Sequence, residues 1–350
     1  MTAASQPPVP ASFVVVGLDN GGTCDNATVL DNAGRFLIPG LLEVPSRVRE
    51  GPDAALAALI ASFDSALDDT GLPRSAVLGV GLDSPGPASA QGVISIKGST
   101  NFGSGDWAGF DLRSALEERL GLPVVYNNDA NAAALYAHQQ FYGPDSPNRS
   151  SVSVIVGTGL GGGVVIGGRV VQGAAGMAGE LGHVHIPLDG LLEADQPTPT
   201  CNCGLEGDAE SFASLTAIEK NLLPYWLSRF PQHELAGMPR DKAARMVRAL
   251  GEAGDPMAVA IFTQQAIAIG RLFTLAANFI DPDAYFLGGG VVEASPEFRD
   301  WFLHTVRRHT EMRFEAAHAA VFALVPDLDM AGARGAAMAA MAALETQSRR

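Results

Sequence analysis

One arrangement occurs twice in this chain. Phe13 to Leu18 (FVVVGL) is a short apolar run that stops at Asp19-Asn20-Gly21-Gly22-Thr23, and Ala27 to Leu30 is apolar again. About 138 residues later Val152 to Val156 (VSVIV) meets Gly157-Thr158-Gly159-Leu160-Gly161-Gly162-Gly163, followed by Val164 to Ile166 (VVI). Each copy reads as strand, Gly-rich turn, strand. Further strand and helix patterns follow each copy, so the repeat restricts the fold to two related α/β halves. The length of 350 residues suits two domains, each able to bury its own core.

The rest of the chain fills in these halves. Residues 1–12 read as a disordered tail. Pro52 to Leu67 has helical periodicity, Val77 to Leu82 reads as a strand, and Phe110 to Leu120 as an amphipathic helix ending at Gly121. The strand Val124 to Tyr126 runs into Asn127-Asn128-Asp129, a helix N-cap ahead of the Ala-rich Ala130 to Gln140. Pro144 to Ser151 reads as a loop and a boundary. Ala209 to Phe279 is expected to be mostly helical with one break near Phe230 to Pro239, and Ala284 to Leu287 to be a strand entering Gly288-Gly289-Gly290. A last helix, about Gly335 to Glu345, is rich enough in Ala and Met to be packed against something.

Composition excludes several function classes. Net charge is −15, so the phosphate backbone of a nucleic acid would meet a repulsive field. No apolar run is read as approaching the ~20 residues that span a bilayer, and the start lacks a basic segment followed by an apolar one. These features point to the cytoplasm and to no membrane partner. In a reducing compartment the close pair Cys201 and Cys203 suggests metal before disulfide. The 40 glycines, roughly 11% against an average near 7%, call for places where a Cβ would be in the way.

A Gly-rich turn after a strand can cradle a phosphate on its backbone N–H groups, although a single such turn ordinarily serves only to close a hairpin. Three such turns, two of them related by repeat, argue for a phosphate site. Neither the P-loop spacing nor the G-x-G-x-x-G spacing is present. Asp19-Asn20-Gly21-Gly22-Thr23, Asn128-Asp129-Ala130-Asn131, Gly157 to Gly163, Glu180-Leu181-Gly182-His183, Cys201-Asn202-Cys203-Gly204 and Leu287 to Gly290 occur in the order found in the ROK family of sugar kinases and sugar-responsive repressors. The resemblance runs from about Val14 to Ala337. It implies an α/β fold of two actin-like (RNase H-like) domains around a central ATP and sugar cleft: residues 13–127, joined by the C-terminal helix at about 330–345, and residues 128–329.

By the same resemblance, Asp129 is the general base for phosphoryl transfer to a sugar hydroxyl. A nucleophile in such a transfer must be held in line and relieved of its proton. By position alone, a helix cap is the favoured role of Asn128 or Asp129, and the resemblance reverses this. The resemblance further implies sugar contacts from Asn101, Asn128, Glu180, His183 and Glu210. Carboxylates suit hexose hydroxyls because each accepts several hydrogen bonds and penalises an epimer that leaves one unmade. It places the nucleotide phosphates at Gly21, Gly22, Thr23, Thr158 and Gly159, the adenosine at Gly288 and Gly289, and Mg²⁺ on Asp19. Cys24 stands where many members carry Lys, which implies modest affinity for ATP.

The family's zinc pattern, C-x-C-G-x-x-G-C-x-E, is altered here. The segment reads Cys201-Asn202-Cys203-Gly204-Leu205-Glu206-Gly207-Asp208-Ala209-Glu210, with Asp208 in place of the third Cys. Carboxylate is an accepted Zn²⁺ ligand, so His183, Cys201, Cys203 and Asp208 supply four donors. A metal-free loop and a site completed by another group such as His185 stay open on sequence. The expected activity is an ATP-dependent hexokinase of glucokinase type that forms a homodimer or homotetramer. Fructose, allose or N-acetylhexosamine kinases, a polyphosphate-using enzyme and a non-catalytic sugar sensor are the alternatives. About 12 residues precede the first strand, too few for a helix-turn-helix.

Overall fold

Where the sequence repeats, the structure repeats its strand order. The computed structural model describes residues 13–86, 88–95, 102 and 105–348. These fall into two compact units: unit 1 runs to Tyr136 and takes in Asp329 onward, and unit 2 is Ala137–Leu328.

The sheet of unit 1 contains β1 (Val14–Asn20), β2 (Cys24–Asp31), β3 (Glu43–Pro45), β4 (Val77–Ser84) and β5 (Val124–Asn128), in the order β3-β2-β1-β4-β5. The hairpin β1–β2 is antiparallel and the pairs β1–β4 and β4–β5 are parallel. Gly21 closes the hairpin by donating its N–H to the Cys24 carbonyl at 3.1 Å, and a Cβ on Gly21 would lie 2.3 Å from that oxygen. One sheet face is covered by α1 (Pro52–Thr70), which starts on Pro52 and stops at left-handed Gly71, and by α2 (Leu112–Leu120). The second of these helices begins two residues later than the apolar pattern predicts, because the Asp111 carboxylate accepts the Ser114 N–H at 2.9 Å and fixes the start. Helix α3 (Asp129–Tyr142) follows β5.

The other face of this sheet receives the C-terminal helix, Leu328–Ser348. A Cβ on Gly17 would stand 2.0 Å from the Ala333 carbonyl oxygen, and one on Gly81 2.0 Å from that of Ala336. Backbone therefore packs directly on backbone, with Val15, Leu30, Ala337, Ala340 and Met341 forming a core beside the contact. The helix starts seven residues before the predicted Gly335.

Unit 2 contains β6 (Ser150–Val156), β7 (Leu160–Ile166), β8 (Arg169–Val170), β9 (Ala284–Gly289) and β10 (Val321–Leu324), in the order β10-β9-β6-β7-β8. Its topology is that of unit 1: an antiparallel hairpin, then two parallel strands on the far side of the hairpin's first strand. Its helices are α4 (Leu215–Ala217), which continues through a π-helical turn at Ile218–Leu222 into α5 (Leu223–Arg229), then α6 (Arg240–Glu252), α7 (Pro256–Phe279), α8 (Pro296–Arg308) and α9 (Phe314–Ala319). A second break, not foreseen from sequence, separates α6 from α7. Left-handed Gly254 turns the chain there and the Asp255 carboxylate caps α7 through the Ala258 N–H at 2.9 Å. The predicted loop from Pro144 contains a 3₁₀ helix, Gly143–Asn148, anchored by the buried His138 side chain at Ser146 and Ser151.

Helix α7 corrects the expectation that nothing in the chain matches a membrane span. It is 24 residues long and apolar enough to cross a bilayer, with 61% of its most apolar window buried inside the protein. Gln264, Gln265 and Arg271 interrupt the apolar run in the sequence. In the fold Gln264 donates to the Leu191 carbonyl at 2.9 Å and to the Gln196 side chain at 2.7 Å, as a core helix with satisfied polar groups does.

Candidate functional site

In unit 1 the candidate residues gather at the ends of β1, β4 and β5. Asn128 ends β5, and its Oδ1 accepts the N–H groups of Ala130 and Asn131 at 3.0 and 3.3 Å. The capping role thus falls on Asn128. Asp129 is the first residue of α3, with its Oδ1 on the Ala130 N–H at 2.7 Å. Gly22 and Thr23 form the tip of the β1–β2 hairpin, while Gly21 is held within it. Asn101 lies outside the described residues.

Asp19, near the end of β1, receives a hydrogen bond from Asn26 Nδ2 at 3.2 Å. Asp83 lies opposite it on β4, a residue the sequence reading did not single out. Both Asp83 oxygens are buried and no donor among the described residues reaches them. Burial raises the Asp19 carboxyl above the usual carboxylate range, and burial with the adjoining Asp19 raises Asp83 well above it. Asp25, on the opposite sheet face, is pushed up to about 7 by burial, with Asp19 adding to the shift and the hydrogen bond from Asn20 opposing it. Hard oxygen donors that lack counter-charge fit a Mg²⁺ ion.

In unit 2 a second group forms around the β6–β7 turn. Glu180 leads into the 3₁₀ turn Leu181–His183, so Glu180 and His183 share one short helical segment as their spacing predicts. Gly182 permits this turn to lie on β7, since a Cβ there would be 2.4 Å from the Leu160 carbonyl oxygen. Glu210 reaches the same place: its N–H donates to the Gly182 carbonyl at 2.8 Å, and its Oε2 accepts the Leu160 N–H at 2.8 Å. A Cβ on Gly159 would stand 2.6 Å from that carboxylate oxygen. Burial raises the Glu180 carboxyl, partly offset by His183, while Glu210 adds to the rise. Glu180, His183 and Glu210 are therefore brought together.

The altered cysteine motif folds into a compact donor set. One ligand atom from each of His183, Cys201, Cys203 and Asp208 lies within 4.8 Å of the others. His183 Nδ1 is 3.7 Å from Cys201 Sγ, 3.5 Å from Cys203 Sγ and 3.3 Å from Asp208 Oδ2, and Cys203 Sγ is 3.9 Å from Asp208 Oδ2. A tetrahedral Zn²⁺ with its usual bond lengths sets such ligand pairs about 3.3 to 3.8 Å apart. The four side chains fit that ion. Asp208 is fully buried, and its Oδ1 is taken by the Ser211 N–H at 2.9 Å, which leaves Oδ2 toward the other three donors. The hydrogen bond that His183 donates to Asp208 pushes its imidazole up to about 9, a sign of how much negative charge the cluster presents.

Unit 2 also has an open pocket of about 380 Å³ beside the same turn. Gly157, Thr158, Ile218, Arg245, Arg248 and Gly290 are among its lining. Gly288 and Gly289 are not: their Cβ positions face Ile155 and the Val156 carbonyl, so their bareness serves sheet packing and Gly290 is the residue that meets the cavity. Arg245 and Arg248 were not foreseen. They come from α6, remote in sequence from any Gly-rich turn, and only the fold brings them to the cavity.

With this geometry established, four similarities bear on the chain. Its sequence matches the ROK family over residues 15–343. It is 31% identical over 300 residues to a glucokinase from Halalkalibacterium halodurans, covering 85% of this chain and 84% of that one. The ROK hexokinase from Thermus thermophilus superposes with a TM-score of 0.75 at 33% identity, over 95% of this chain and all of the other. A ROK glucokinase from Streptomyces griseus, solved in complex with glucose and AMPPNP, gives 0.67 at 30% identity over 93% and 98%. Motif order, repeated strand order and similarity along nearly the whole length agree that the chain belongs to the ROK family.

Proposed function

We propose that this protein is an ATP-dependent hexose kinase of glucokinase type, transferring the γ-phosphoryl group to the 6-hydroxyl of an aldohexose, with glucose the first sugar to test. The observation that carries the reading is the assembly of Glu180, His183 and Glu210 on the β6–β7 turn, where fixed acceptors and an imidazole can recognise ring hydroxyls. The Streptomyces griseus relative, 30% identical, was solved with glucose and an ATP analogue.

In this reading Asp129 accepts the 6-hydroxyl proton as that oxygen forms its bond to the γ-phosphorus, and the bond from phosphorus to the bridging oxygen breaks to release ADP. Asn128, whose Oδ1 is committed to the helix end, offers its Nδ2 to the sugar. Thr158 and Gly159 in one unit and Gly22 and Thr23 in the other offer backbone N–H groups to phosphates, while the Gly21 N–H stays on the Cys24 carbonyl and shapes the turn. The cavity beside Thr158 takes the nucleoside. Mg²⁺ on Asp19 would neutralise phosphate charge. A bound Zn²⁺ would hold the cysteine loop in one conformation. His183 turns Nδ1 toward the cysteines and Asp208, so Nε2 is the nitrogen left for a hydroxyl.

An ADP-release assay over hexoses and N-acetylhexosamines, with ATP and with polyphosphate, tests the reading. Glucose with ATP is expected to give the highest kcat/KM, and a panel without turnover overturns it. Asp129→Asn is expected to lower kcat about 10²-fold or more while glucose still binds. Near-normal turnover in that variant would remove Asp129 as the base.

A further inference from the structure

Asp83 is buried at the end of β4, and among the described residues no donor meets either carboxylate oxygen. It faces Asp19 across the parallel pair β1–β4, close enough for the two carboxyls to hydrogen bond. Asn26 donates its amide to Asp19 and to the Asp329 carbonyl, and its Oδ1 is buried with no donor among the described residues. The covering helix leaves room at this point. A Cβ on Gly332 would stand 2.9 Å from Asp19 Oδ2 and 3.1 Å from Asp83 Oδ2. Unmatched acceptors in a buried site call for a counter-charge. Oxygen donors without sulfur or imidazole suit a hard divalent cation, and an octahedral Mg²⁺ holds neighbouring oxygens about 3 Å apart. Asp19 Oδ2 and Asp83 Oδ2 both border the cradle beside Gly332, so one ion held there can bridge the pair.

We propose that Asp83 joins Asp19 as a direct Mg²⁺ ligand, forming a two-carboxylate site that takes the ion before any nucleotide arrives. The ion's use rests on the kinase reading above, whereas its binding does not. Asp83 is thus a further metal-binding residue for the phosphoryl transfer, and it charges the site in the empty enzyme.

Calorimetric titration of Mg²⁺ into the full chain, without sugar or nucleotide, tests this; Mg²⁺ has little affinity for the sulfur-rich loop. One ion per chain is expected. Asp83→Asn keeps the side-chain shape and should weaken binding about tenfold or more. Gly332→Ala, a substitution favourable to a helix, should weaken it as well by filling the cradle. Asp83→Asn should also raise the Mg²⁺ concentration needed for half-maximal turnover. No Mg²⁺ binding to the unaltered chain, or unchanged binding in both variants, overturns the proposal whatever the sugar panel gives. Binding that is lost in Asp83→Asn, in a chain that phosphorylates no sugar, would uphold the ion site and overturn the kinase reading.

Discussion

In unit 1 the parallel strands β1 and β4 bring Asp19 beside Asp83, while in unit 2 the equivalent strands β6 and β9 bring Ile155 beside Gly288. Strand order and the parallel or antiparallel sense of each pair are the same in both sheets. A Cβ on Gly288 would lie 2.7 Å from Ile155 Cδ1, with Val325 and Leu328 closing around it. One rung is therefore built for charge and its counterpart for close apolar packing. Backbone pairing and apolar alternation define the scaffold, and they leave the strand ends free to differ.

The severest test of this contrast places the charge in the wrong unit. Gly288→Asp would bury a carboxylate among Ile155, Val325 and Leu328 with no partner, and is expected to cost about 5 kcal/mol or more of unit 2 stability. Chemical denaturation would read it through Trp226 and Trp301, and a small loss would mean that the apolar rung tolerates what the charged one carries.

The next test concerns pH. Asp25 ionises near 4 in an unfolded chain and at about 7 in the folded one. Between these values the folded state keeps a proton that the unfolded state has lost, so stability falls as pH rises from about 4 to 7 and then levels. The fall from this group amounts to roughly 4 kcal/mol, and the raised Asp19 and Asp83 carboxyls act in the same direction. Asp25→Asn should flatten that slope in unit 1, followed through Trp107, and an unchanged slope would contradict the buried acid.

The smallest effect concerns the loop of unit 2. Metal analysis is expected to find one Zn²⁺ per chain, and Cys201→Ser to weaken its retention about 10- to 100-fold together with affinity for the sugar. Full sugar affinity in metal-free protein would separate the loop from recognition.

Much of this was legible in the sequence, for identifiable reasons. The two hairpins were marked by apolar runs around Gly-rich turns, and Asp208 by its place in the cysteine motif. Asp83 was not: it lies just past Val77 to Leu82, the run that reads as a strand, and only sheet pairing reveals Asp19 beside it. The C-terminal helix starts before the Ala- and Met-rich run from Gly335 that marked it, and takes in Gly332 and Gly335. Their bareness is steric, since a Cβ on Gly335 would sit 1.8 Å from the Ala132 carbonyl oxygen. Likewise Gly288 and Gly289 read as a ligand turn, whereas their neighbours in space are strand β6.

The C-terminal helix has one more consequence. Gly17 and Gly81 wait for Ala333 and Ala336, residues that leave the ribosome only after all of unit 2. During synthesis unit 2 is complete first, and unit 1 holds an uncovered sheet face until the last segment emerges. A chain cut short near residue 330 would lose the half of the protein that was made earliest.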